Sequence, residues 1–173
     1  MPSDFETQVP IASVDAKGVA NLILDWADDE GREISNLKLQ KLIFFAHSDF
    51  VKSTGQALVT EVFQAWDHGP VLPSLYREFR QNGAGPIRNR AMKFDPISAM
   101  TDIAHVCLSE IQSDHLRSSY SFYKHIGPFT LSGLSHADDG PWDRARALFD
   151  CGLNPDRQIG TALIRTYHQR IRD

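Results

Sequence analysis

The run Ile34-Ser35-Asn36-Leu37-Lys38-Leu39-Gln40-Lys41-Leu42-Ile43-Phe44-Phe45-Ala46 carries the strongest helix signal in the chain. Ser35 reads as its N-cap, because Ile34 before it and Leu39 four positions after it have the spacing of a hydrophobic staple. Leu39, Leu42, Ile43, Ala46 and Phe50 then recur at helical spacing. Phe44 and Phe45 lie off that stripe, so the helix is apolar over more than one face and is expected to run through the middle of the core.

Upstream, Ser13 is expected to cap a helix that carries Asp15 at its positive end, aligns Val19, Leu22, Ile23 and Trp26, and stops at Gly31. Downstream, the strand-prone residues between Ala57 and Trp66 and from Ile87 to Phe94 leave room for a small β-hairpin or ribbon. Gly69-Pro70 and Pro73 mark a turn into a helix that aligns Leu72, Leu75, Tyr76 and Phe79 before Asn82-Gly83. Asp95-Pro96 is expected to open a helix through Ile103, Val106, Cys107 and Ile111, resuming after Ser113 through Leu116, Tyr120 and Tyr123. A short turn of helix follows Gly127-Pro128, and Gly140-Pro141 starts another that Gly152 ends. Asn154-Pro155 is expected to cap a last helix with Ile159, Leu163, Tyr167 and Ile171 on one side. The fold class that results is mainly α: a compact single-domain helical bundle with a small β-hairpin or ribbon. Residues 1–12 read as a flexible leading segment and 13–173 as the domain.

Composition narrows the function. The 173 residues carry 22 acidic and 18 basic side chains, a net charge of -4, which gives no electrostatic reason to bind nucleic acid or an anionic membrane. Two cysteines, Cys107 and Cys151, with no second Cys or His at metal spacing, suggest neither a disulfide framework nor a zinc knuckle, and both read as structural thiols. The first residues lack the basic and apolar regions of a secretory signal, and the longest apolar run, Leu42 to Ala46, falls far short of the roughly 18 residues of a membrane span. A cytoplasmic setting is expected.

Chemical motifs are sparse. His136-Ala137-Asp138-Asp139, joined by His68 from the Asp67-His68-Gly69-Pro70 turn, is the most suggestive grouping for a metal-dependent hydrolase, and the carboxylates before Pro141 also suit a helix start. Gly83-Ala84-Gly85 lacks the further glycine and the Lys of a phosphate loop, so no cofactor is expected. Arg88, Arg90 and Lys93, and separately Arg165, Arg170 and Arg172, are the basic groups through which a DNA-binding autorepressor would act.

Three stretches together resemble a known family. They are the Ile34 to Ala46 run, then Ala65-Trp66-Asp67-His68-Gly69-Pro70-Val71-Leu72-Pro73-Ser74-Leu75-Tyr76, then Leu131-Ser132-Gly133-Leu134-Ser135-His136 with Pro141-Trp142. In order and spacing they resemble the SocA-like antitoxin family, the Panacea domain of GepA-like, phage-associated proteins. The resemblance implies a mainly helical fold, no enzymatic reaction, and a protein antitoxin paired with a cognate protein toxin. It also implies an adaptor role, delivering the bound toxin to an ATP-dependent protease such as ClpXP. If the chain works by docking, its anchors are expected to be few and aromatic. The expected partner-binding residues are Trp66, Asp67, His68, Tyr120, Phe122 and Tyr123, with Met1 to Pro10 as the segment an unfoldase would grip.

Overall fold

The first helix begins two residues later than Ser13 would place it. In the structure, a computed structural model that describes residues 10–170, α1 is Ala16–Asp29 and its cap is Asp15, whose carboxylate accepts from Lys17 N at 2.8 Å. Val14 is held extended by Leu58 and Thr60, its N–H donating to Leu58 O and its carbonyl accepting from Thr60 N, each at 2.9 Å. The helix therefore cannot start before it, and the Ser13 hydroxyl instead meets Thr60 Oγ1 at 3.2 Å. Ile11 and Ala12, at the end of the leading segment, are tied to Gln56 and Gln112. Residues 1–9 lie outside the described residues, as does most of the Met1 to Pro10 segment.

Ser35 caps α2 (Asn36–Thr54) as its staple predicts, accepting from Lys38 N at 3.3 Å. The helix is buried on nearly every side: Leu39, Leu42, Ile43, Phe44, Ala46 and Phe50 all belong to the core, as do the polar Gln40, Lys41 and His47. It packs against α1, against several of the helices that follow and against one strand.

Beyond it, β1 (Phe63–Trp66) turns through Asp67 and His68 into β2 (Gly69–Val71), antiparallel, with Gln64 opposite Val71 and Trp66 opposite Gly69. The turn is thus Asp67-His68, and Gly69-Pro70 is strand. Leu58 and Val59 stay outside the ladder apart from a bridge between Val59 and Val14. Pro73 opens α3 (Pro73–Phe79); Leu72 just before it and Leu75 and Phe79 within it are buried, while Tyr76 is exposed.

The segment after Asp95 corrects the sequence reading. It forms a second antiparallel hairpin, β3 (Met92–Asp95) and β4 (Met100–Ile103), where a helix was expected. Asp95 does cap, but it caps a turn: its carboxylate accepts from Ile97 N at 2.9 Å and from the Ser98 hydroxyl at 2.8 Å, and Ala99 at φ +55 sends the chain back. The two strand-prone segments therefore belong to two separate hairpins. Cys107 consequently lies on an irregular exposed segment and not on an apolar helix face, and Cys151 is exposed as well, so neither is a buried structural thiol.

The next helix, α4 (Glu110–Tyr123), is unbroken and starts at a capping box of Ser109 and Gln112. Pro128 and Pro141 open α5 (Pro128–Ser135) and α6 (Pro141–Asp150) at their first helical positions, as expected. The last helix starts later than Asn154-Pro155 suggested. The Asn154 side chain accepts from Gln158 N at 2.9 Å and donates to Gln158 O at 3.0 Å, closing a loop that delivers β5 (Gln158–Ile159) to the free edge of β1. Only then does α7 (Thr161–Arg170) begin. The architecture is mainly α, yet the three-stranded sheet β2-β1-β5 and the β3-β4 hairpin make it a mixed fold and not a purely helical bundle. No described helix is long and apolar enough to cross a membrane.

Candidate functional site

The three quoted stretches meet at the β1–β2 hairpin. Burying a hairpin leaves main-chain groups that need partners, and here side chains from three helices supply them. From α2, Lys41 Nζ donates to Pro70 O at 2.7 Å and Gln40 Oε1 accepts from Leu72 N at 2.8 Å. From α5, Ser132 Oγ donates to His68 O at 2.8 Å. From α6, Trp142 Nε1 donates to Trp66 O at 2.8 Å. Gln40 is itself held by Asn36, its Nε2 donating to Asn36 Oδ1 at 3.2 Å, while Asn36 Nδ2 donates to Tyr76 O at 3.1 Å.

Gly69 is where the packing is tightest. Its φ is +99, and a Cβ there would lie 2.5 Å from Ser135 Oγ and 2.8 Å from Lys41 Cε. Only glycine fits both the conformation and the space. Lys41 is fully buried, and desolvation brings its pKa down to about 7. Burial also lowers the pKa of His136, assisted by Lys41, His68 and Arg146; its ring stacks on Trp142 with centroids 3.8 Å apart.

The opposite side of this hairpin is open. A groove of about 640 Å³ runs between the start of α2, the hairpin turn, α3, the Gly83-Ala84 turn and Arg157. Trp66 and Tyr76 form its aromatic side, edge to face at 5.1 Å, with the Trp66 indole N–H already donating to Gln64 Oε1 at 2.9 Å. Asp67 stands at the rim, where the Arg146 guanidinium, 2.8 Å away, holds its carboxyl below the usual range, aided by Arg157 and His68.

Trp66, Asp67 and His68 thus line one groove. The other three expected residues do not join them. Tyr120 is buried, its ring against Trp26 at 5.4 Å and its hydroxyl reaching Glu30 at 3.4 Å, so it is not available as a surface anchor. Burial and the Glu30 carboxylate push its pKa up to about 12. Tyr123 is half-buried, stacked on Phe45 at 4.7 Å with its hydroxyl donating to Asp49. Phe122 alone is freely presented, at 70% exposure. Sequence reasoning missed Tyr76 and Arg157 as groove residues, the first because its spacing put it on the buried stripe of α3, the second because it was assigned to a helix.

The competing chemistries find little support in the geometry. Asp139 pairs with Arg144 at 3.1 Å and His136 is stacked on Trp142; among the described residues no three His, Cys, Asp or Glu side chains are grouped to hold a metal. Arg88, Arg90 and Lys93 are each paired with carboxylates, of Glu33, of Asp25 and Asp28, and of Asp15. Arg165 donates to Gly55 O at 2.6 Å, and Arg172 lies outside the described residues.

A family model described as "Antitoxin SocA-like, Panacea domain" matches residues 39–143, a range that includes the hairpin and the side chains of Gln40, Lys41, Ser132 and Trp142 that hold it. The chain belongs to this family. Antitoxin SocA of Caulobacter vibrioides (strain NA1000 / CB15N) is 41% identical over 141 residues, covering 79% of this chain and 72% of that protein. No solved structure gives a significant match. The bonded junction described above is therefore the part of this Panacea domain in which the three family stretches meet, and the groove is the open face of that junction.

Proposed function

We propose that this Panacea-domain chain is the antitoxin of a toxin–antitoxin pair, acting in the cytoplasm, and that it neutralises a cognate protein toxin by direct binding. The observation that carries this reading is the 41% identity with Antitoxin SocA over most of both chains. The groove supports it: an aromatic, partly apolar cleft on a hairpin held by side chains of three helices suits a partner's side chains. Trp66, Asp67 and His68 make the principal contact, and Phe122 and Tyr123 a second one. A stable complex would bury on the order of 1,200 to 2,000 Å² in total. Bound toxin is then passed to an ATP-dependent protease such as ClpXP, with Met1 to Pro10 as the handle.

Expression of the neighbouring reading frame, alone and with this chain, tests the reading. Growth arrest relieved by co-expression, with both proteins purifying together, is the expected result; a harmless neighbour, or rescue without a complex, would contradict it. The protease step predicts that the toxin's half-life lengthens when the unfoldase is removed, while the complex still forms.

A further inference from the structure

We propose that the groove beside the Asp67-His68 turn recognises a short acidic and apolar segment of the toxin, one large apolar side chain lying against Trp66 and Tyr76 and a neighbouring carboxylate reaching Arg157. This rests on the toxin-binding reading and names the chemistry of the contact.

The amides of Gln40 and Asn36 and the indole N–H of Trp66, which line the groove, are already used inside the protein. Gln40 is engaged at both ends, by Leu72 N and Asn36; Asn36 donates to Tyr76 O; and the Trp66 indole donates to Gln64. A polar group entering beside Gln40 and the Trp66 indole would lose its water with those groups already engaged, whereas Leu37, Val71 and the rings of Trp66 and Tyr76 offer apolar surface. The floor therefore selects an apolar side chain, and about 640 Å³ accommodates a large one.

The rim selects charge. Asp67 is taken by Arg146, which leaves Arg157 over. Its guanidinium lies 4.9 Å from the Phe149 ring centroid and makes no ion pair among the described residues. Its backbone is fixed in the left-handed region at φ +54, with Arg157 O accepting from Ala65 N at 2.8 Å and Arg157 N donating to Asn154 O at 3.0 Å. A guanidinium on a fixed backbone, with two arginines facing one carboxylate, complements an anionic group, and a carboxylate matches its fork of donors.

The experiment is equilibrium binding of the full chain to a purified, non-toxic variant of the toxin encoded beside it. Arg157→Glu is expected to weaken binding about tenfold or more, Tyr76→Ala about tenfold, and Arg157→Lys by only about threefold, with melting temperatures unchanged. Reversing one toxin carboxylate to Arg is expected to restore binding to the Arg157→Glu variant. If wild type binds while both Arg157→Glu and Tyr76→Ala bind within about twofold of it, the groove contact is overturned and the antitoxin reading stands. If Arg157→Glu weakens binding and no charge reversal in the toxin restores it, the carboxylate contact is overturned. Absence of wild-type binding overturns both readings.

Discussion

The described residues form two antiparallel hairpins of similar size, and they are built in opposite ways. The β1–β2 hairpin is held from behind by Gln40, Lys41, Ser132 and Trp142, and a third strand, β5, completes its sheet. The β3–β4 hairpin has eight strand residues and all eight are exposed, with Ile97 at its tip 96% accessible. An isolated two-stranded ribbon is marginal in water, so the second hairpin draws its order from its base, where Lys17 and Glu78 take the Met92 carbonyl and N–H. Hairpin conformation alone thus says little about stability. What matters is whether side chains from elsewhere satisfy the main chain, and that separates a rigid platform from a projecting arm.

The comparison is broken most severely at Gly69. Gly69→Ala combines a left-handed φ with contacts far inside van der Waals distance, so a loss of about 3 kcal/mol or more in denaturant unfolding is expected. A loss under about 1 kcal/mol would mean that Lys41 and Ser135 yield freely and the platform is not rigid.

Lys41 supplies a pH signature next in size. An unfolded lysine keeps its proton up to about 10.5, whereas burial brings the folded value to about 7. Between those values the unfolded state binds more protons, so stability rises with pH, by at most about 1.4 kcal/mol per pH unit. Below the folded value both states are protonated and this group contributes no further slope. Lys41→Met is expected to flatten the profile from about pH 7 to 9; an unchanged slope in that variant would assign the effect elsewhere.

Ser132→Ala, which strips the His68 carbonyl of its donor, is expected to cost about 1 kcal/mol by chemical denaturation. Phe94→Ser and Ile97→Ser in the second hairpin are expected to shift stability by less than about 0.5 kcal/mol, because neither side chain has a core to leave. A larger loss there would show that the arm packs in a way its exposure denies.

What could be read from the sequence follows the range of each interaction. The Ser35 cap, the Leu39-Leu42-Ile43 stripe and the Pro141 start are local signals, and the structure keeps each of them. Asp95-Pro96 was local too, but an Asp before a Pro suits a helix start and a side-chain-capped turn equally, and only the pairing of Met92 with Ile103 distinguishes them. The roles of Gln40 and Lys41 were out of reach, since their partners Leu72 and Pro70 lie 32 and 29 residues away. Asp67 and His68 are legible as surface residues because a turn presents its side chains, whereas Trp66 is half-buried at the end of β1. Tyr120, on the same reasoning, was misplaced because aromatic character does not tell a buried face of α4 from an open one.

Hydroxyl-radical footprinting of the full chain, free and bound to its toxin, tests most directly whether the platform's groove is the docking face. Trp66 and Tyr76 should lose reactivity on binding while Phe94 and Met100 of the projecting arm keep theirs. Protection of Phe94 and Met100 with Trp66 and Tyr76 unchanged would place the toxin on the wrong hairpin and contradict the account.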